Sequence, residues 1–271
     1  MTTEMPVATP RSERSLRAWA TQSGALTWRQ VSVMVGDKGM LVQLVVVPVL
    51  TLLMFKVVLG DALGGATGQD SSYSTVPLVI LVSAMFGSVA AGVRLNSERD
   101  TGLLTRLYVL PIHRAADLTS RLGSEVVRIV VVTALLLAIG TATGFRITGG
   151  AASVIGIIAV TLMFGIAYAT LVLALAVSAG PAAPLVPLLS LISSVLMFFN
   201  SGFSPIDAYP GWLQPIVANQ PMTPTIEVMR SLANGEPVAH NFVKVAIWSV
   251  AIIAVCLIPA LRGYRRAATA H

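Results

Sequence analysis

The sequence predicts an all-α, polytopic membrane protein with six transmembrane helices, and three observations carry that prediction. The 60 residues from 147 to 206 contain no Asp, Glu, Lys or Arg, which is room for two spans of roughly 20 residues and the start of a return. Four shorter stretches, 39–55, 71–93, 129–145 and 245–261, are equally free of charge. A charge at the centre of a spanning helix costs about 2.5–3.5 kcal/mol, so clearing five stretches marks lipid as the solvent. Composition agrees: hydrophobic residues make up 55% of the 271, charged residues 11%, and mean hydropathy is +0.80, outside the range of soluble domains.

Six helices are expected at about 39–59, 75–95, 126–145, 153–178, 182–200 and 242–261. Pro48 lies inside the first and should kink it. Ser178, Ala179, Gly180 and Pro181 divide the fourth from the fifth. The pattern reads as one domain: an N-terminal segment 1–38, a membrane body 39–262 and a tail 263–271. No short apolar core with a cleavage site precedes residue 38, so no signal peptide is expected.

Basic residues set the orientation. The segment before the first span, the loop between the second and third, and the tail carry 14 of the 18 basic residues. All three lie on one side of a six-span chain. That excess marks the cytoplasmic side and places both termini inside. The net charge of +6 then reports topology and anionic headgroups rather than nucleic acid.

Three polar segments are candidates for function. In residues 15–38, Leu16, Trp19 and Leu26 share one helical face, and Trp28, Val31 and Val35 an adjoining one beside Arg29. This fits an amphipathic interfacial helix or a solvated leader. In the loop 96–125, Leu103, Leu104 and Leu107 recur at helical spacing between charged neighbours and Leu110-Pro111 ends the run. Such leucines need a partner surface, either a cytoplasmic protein or lipid. The segment 200–241 is too rich in Pro and Gly for one helix and too apolar for a free loop. Two short external re-entrant helices are expected there. One would start near Gly211, beside Trp212. The other follows Pro221, with Thr223 as N-cap, Pro224 at its first position and Gly235 just past its end. Glu227 and Arg230, three apart, are spaced to pair. The segment serves as a lid or touches substrate directly.

Absences narrow the function. His113, His240 and His271 are scattered without ligand spacing, so no metal site is readable. There is no G-x-x-x-x-G-K-[ST] and no G-x-S-x-G. The predicted spans hold no acidic residue, which argues against an ion-coupled carrier. What remains is a transport pore or a membrane enzyme that draws its energy or chemistry from elsewhere.

The order of these segments resembles the type-2 ABC exporter permease family. Glu98, Arg99, Asp100, Thr101, Gly102, Leu103, Leu104, Thr105, Arg106 and Leu107, followed by Leu110-Pro111-Ile112-His113-Arg114-Ala115, resemble that family's coupling-helix segment. Tyr209-Pro210-Gly211-Trp212-Leu213-Gln214-Pro215, with Asn219-Gln220-Pro221 and Met229-Arg230, resemble daunorubicin-resistance-type permeases, and Gly263-Tyr264-Arg265-Arg266-Ala267 is similar to mycobacterial members. The likeness runs from about Trp28 to Arg266. One departure is Gly102-Leu103, where many relatives have Gly-Thr.

The resemblance implies a non-enzymatic transport subunit of a bacterial inner membrane exporter. It would work with a second permease, identical or sister, and a separate ATPase that holds the ATP and Mg; this chain itself would carry no cofactor. Glu98, Thr101, Gly102, Leu103, Leu104, Arg106, Leu107, Leu110 and Pro111 would couple it to the ATPase. The interfacial helix (Trp19, Trp28, Arg29) would brace that contact, and the cargo would be a cell-envelope lipid or an amphiphilic antibiotic. A membrane-embedded lipid-modifying enzyme and a passive scaffold are the alternatives.

Overall fold

The computed structural model describes residues 16–67, 71–101, 116–178 and 185–269. All regular structure among them is helical. In chain order the helices are α1 (Leu16–Gly36), α2 (Lys38–Leu41), a π-helical turn (Val42–Val46), α3 (Val47–Thr67), α4 (Ser72–Asp100), α5 (Ala116–Ala142), α6 (Gly150–Ser178) and α7 (Leu185–Phe198). A 3-10 turn (Ile206–Ala208), α8 (Gln214–Asn219), α9 (Met222–Asn234) and α10 (Ala239–Thr269) follow among the described residues.

Among the described residues, five helical runs are long and apolar enough to cross a membrane: Lys38–Val58, Ser72–Glu98, Ala116–Ala142, Gly150–Ser178 and Ala239–Ala260. The predicted fifth span is represented by α7, whose 14 residues rise about 21 Å, short of a hydrocarbon core of about 30 Å. Residues 179–184, the start of that predicted span, lie outside the described residues.

The π-helical turn answers the expectation at Pro48. Proline has no N–H to give, and its ring crowds the carbonyl four residues back. The chain widens its turn just before Pro48, where the Val47 N–H reaches the Val42 carbonyl, and the helix continues.

The largest departure is α5. The expected span began at Val126; the helix begins at Ala116 and takes Asp117, Arg121, Glu125 and Arg128 into the bundle, all of them buried. The expectation of spans without acidic residues is therefore corrected. These side chains enter because they arrive paired at three- and four-residue spacing, the arrangement that makes a buried charge tolerable.

α6 is the central element and packs against α4, α5, α7, α9 and α10. Its contacts are close where glycine permits: a Cβ on Gly165 would stand 2.5 Å from Ile129 Cδ1 of α5. α1 lies along the first half of α5. The first and last spanning runs leave most of their apolar surface exposed, whereas those in α4 and α6 are mainly enclosed.

In the segment 200–241 two boundaries shift. The first short helix starts at Gln214, not near Gly211, because Pro210 and Leu213 close turns ahead of it. The second starts at Met222 with Pro221 at the cap position, so Thr223 is not its N-cap and Pro224 falls within the first turn. A proline is harmless in that turn, where the N–H has no partner in the helix. Gly235 ends the helix at φ 74°, as expected of a left-handed cap.

Candidate functional site

The candidate site is the end of the bundle where α4 and α5 flank residues 102–115. α4 supplies Arg94 and Glu98, α5 supplies Asp117, Arg121, Glu125 and Arg128, and α1 closes one side.

Arg121 bridges α4 and α5. Its Nη2 donates to Glu98 Oε2 at 2.7 Å and its Nε to Asp117 Oδ2 at 2.8 Å, so one guanidinium ties the last turn of α4 to the first turns of α5. Thr101, exposed, donates its hydroxyl to the Glu98 carbonyl at 3.1 Å.

Deeper in, Arg128 is paired with Glu125 three residues before it. Its Nη1 donates to the Ser83 carbonyl at 3.2 Å and its Nη2 to the Ala84 carbonyl at 3.0 Å. Glu125 in turn accepts from Ser88 Oγ at 2.9 Å. With all these partners the pair meets the condition under which buried charges hold, and removing one partner of such a pair costs about 3–5 kcal/mol.

α1 joins α5 through polar side chains. Ser23 and Thr119 hydroxyls share a hydrogen bond of 2.8 Å, Thr27 Oγ1 donates to the Ser120 carbonyl at 3.3 Å, and Gln30 exchanges bonds with Ser120 and Ser124 at 3.1 and 2.8 Å. Gly123 permits this approach, since a Cβ there would sit 2.7 Å from Thr27 Oγ1. Trp19 is half-buried, Trp28 is 73% exposed, and Arg29 is exposed. The helix thus turns polar groups toward the protein and several apolar ones outward.

Between these elements lies a cavity of about 760 Å³ lined mainly by α1, α3, α4 and α5, with one or two residues each from α2, the π-helical turn, α6 and α7. That volume falls within the range of ligand pockets, about 300–1,000 Å³.

Of the expected coupling residues, Glu98 and Thr101 stand at this end as described. Gly102, Leu103, Leu104, Arg106, Leu107, Leu110 and Pro111 lie outside the described residues. At the far end of the bundle Glu227 and Arg230 pair at 3.0 Å, and Arg230 also donates to Ser74 Oγ at 3.1 Å, pinning α9 to the start of α4. Trp212 is 73% exposed and Pro221 is half-buried. The α4–α5 network was missed as a unit because its arginines counted only toward topology. Its signal was present in the spacing of Asp117 with Arg121 and of Glu125 with Arg128. Among the described residues no group of His, Cys, Asp and Glu is arranged to hold a metal ion.

Comparison with known proteins places these features. The ABC-2 type transporter family matches residues 21–233. The chain is 35% identical over 264 residues to the "Probable doxorubicin resistance ABC transporter permease protein DrrC" of Mycobacterium tuberculosis, covering 97% of this chain and 95% of that protein. It is 29% identical over 255 residues to the "Daunorubicin resistance ABC transporter permease protein DrrB1" of Streptomyces coeruleorubidus, covering 93% and 89%. The "Doxorubicin resistance ABC transporter permease protein DrrB" of Mycobacterium tuberculosis is 26% identical over 176 residues, 64% of this chain and 60% of that one. The chain is a multi-pass membrane protein and a transport subunit rather than an enzyme, and it belongs to the ABC-2 type transporter family.

Proposed function

We propose that this permease forms one half of an export path in a bacterial inner membrane and takes its energy from a separate ATPase that binds ATP and Mg. The ATPase would dock on residues 101–110, with Leu103, Leu104, Leu107 and Leu110 as the apolar contacts and Arg106 beside them. A second permease, identical or sister, would complete the path. Both termini would face the cytoplasm, as the basic residues favour, and α7 with its flanking residues would make the fifth of six crossings. The cargo would be hydrophobic or amphiphilic, in keeping with the doxorubicin and daunorubicin resistance for which relatives are named. A cell-envelope lipid fits the same description.

The observation that carries this reading is the Arg121–Glu98 bond, 2.7 Å long, between the helices that precede and follow residues 102–115 in the chain. A push on residues 102–115 must travel into α4 and α5. With Arg121 holding both, and Arg128 bonded to α4 carbonyls, the two helices receive it as one body. The test is copurification and transport. The ATPase should follow this chain through purification, and Leu103→Glu or Leu107→Glu should abolish export. If no ATPase follows and both variants export normally, the coupling assignment fails.

A further inference from the structure

The membrane helices leave two kinds of apolar face outside. Between 247 and 259, α10 turns out Ile247, Val250, Val255, Leu257 and Ile258. The Trp248 indole N–H on that stretch donates to the Asn219 carbonyl at 2.6 Å. Lipid suffices to cover such a face. The first span and α7 differ. Gln43 and Ser190 are exposed and Ser194 is half-exposed, yet none of these three side chains has a hydrogen bond among the described residues. By contrast, the outward hydroxyls of Thr51 and Thr141 turn back to the Val47 and Ala138 carbonyls, each at 2.8 Å. An amide or hydroxyl without a partner is costly in hydrocarbon, and membrane helices resolve that cost by bonding across to another helix.

Gln43 and Ser190 stand at one depth. Gln43 is three residues beyond Met40, whose sulfur accepts from Arg94, which brings it level with about residue 90 of α4. Gly165 of α6 faces Ala84, so Tyr168 falls level with about residue 87, and it shares a hydrogen bond of 2.7 Å with Ser193. Gly202 reaches Leu78, so α7 runs antiparallel to α4 and Ser190 also comes level with about residue 90. α4 packs against both the first span and α7. The cavity takes Gln43 and Thr51 from one and Met197 from the other, so the two helices flank one open face.

We propose that a second copy of this chain docks on this face, with Gln43 of each copy bonded to Ser190 of the other and Ser194 one turn beyond. A two-fold interface needs a self-complementary surface, and each chain carries both halves of a bond that it does not make within itself. The outward Val47, Leu50, Leu191 and Val195 pack around that bond. Seated there, the second copy also walls the open side of the cavity. The inference rests on the permease reading for its need of a second chain, and adds which surface receives it and that the chain is identical.

Two differently tagged full-length copies, both carrying Cys256→Ser, test this when coexpressed in bacterial membranes. With Gln43→Cys in one copy and Ser190→Cys in the other, a short bifunctional thiol reagent should join the two tags. Val255→Cys in both copies, at an open position on α10, should not cross-link. Gln43→Leu removes both bonds of the pair and should weaken association about tenfold, each interhelical hydrogen bond being worth about threefold. Energy transfer between labelled copies in vesicles of increasing lipid content measures that loss. Gln43 makes no side-chain bond inside its own chain, so the variant should unfold as the parent does. Absence of the 43–190 cross-link, or equal cross-linking at Val255, overturns the proposal. A cross-link that vanishes when a sister permease is coexpressed also overturns it and gives the face to that chain. ATP-dependent export without 43–190 cross-linking sinks the inference alone, whereas cargo movement without nucleotide sinks the permease reading.

Discussion

Gly87 of α4 is the seat of the Arg128 guanidinium. A Cβ at position 87 would stand 1.8 Å from Nη1 and 2.2 Å from Cζ, and the arginine is boxed by the Ser83 and Ala84 carbonyls and by Glu125. A flexible side chain can move aside, but here moving means leaving these acceptors and stranding a buried carboxylate.

Gly87→Ala should therefore destabilise the protein by about 3 kcal/mol or more, the cost of an opened buried pair. Arg128→Met should do the same by stranding Glu125. The double variant Arg128→Met with Glu125→Gln should recover much of the loss, because no charge is left inside. Thermal unfolding of detergent-solubilised protein checks all three. Equal stability of single and double variants would refute the coupling.

Glu98→Gln should separate folding from function. Glu98 is partly exposed, so losing its charge costs little stability, yet it removes the ionic strut between α4 and α5. The expected result is normal expression and ATPase association with reduced export. Transport assays beside copurification measure it.

The network was legible in part. Five membrane-length helices followed from charge-free runs, because removing charge is what lipid demands of a span. The start of α5 did not, because Arg121, Glu125 and Arg128 look like loop residues until their partners on α4 are known. Helix-period pairing within α5 was visible in the sequence, but the Ser83, Ala84, Ser88 and Glu98 contacts are set by tertiary packing. The cavity was likewise invisible, since its lining is drawn from helices far apart in sequence. Pro48 was readable as a disturbance, though not as a widened turn, and Gly235 was read correctly because a left-handed cap is a local property.

Ser23→Cys with Thr119→Cys, in a chain whose single cysteine Cys256 is replaced by Ser, should form a disulfide on mild oxidation, since the native hydroxyl oxygens are 2.8 Å apart. Gly123→Leu should prevent it by pushing α1 away at Thr27. Non-reducing electrophoresis gives the answer. Cross-linking unaffected by Gly123→Leu would mean that α1 is held elsewhere.

Gly235→Ala should cost about 1 kcal/mol, because a side chain is strained at φ 74°. Arg230→Ala should cost about 1–2 kcal/mol, because its bond to Glu227 is partly solvated but its bonds to Ser74 and Ser201 are lost with it. Unfolding curves in detergent distinguish both from the larger losses expected at Gly87.

The joint between α1 and α5 has an implication for movement. Its members are serines, threonines and a glutamine, groups that water satisfies as readily as one another. When those polar groups part, water takes over each of their hydrogen bonds, so this portion of the joint resists separation little, like a latch rather than a weld.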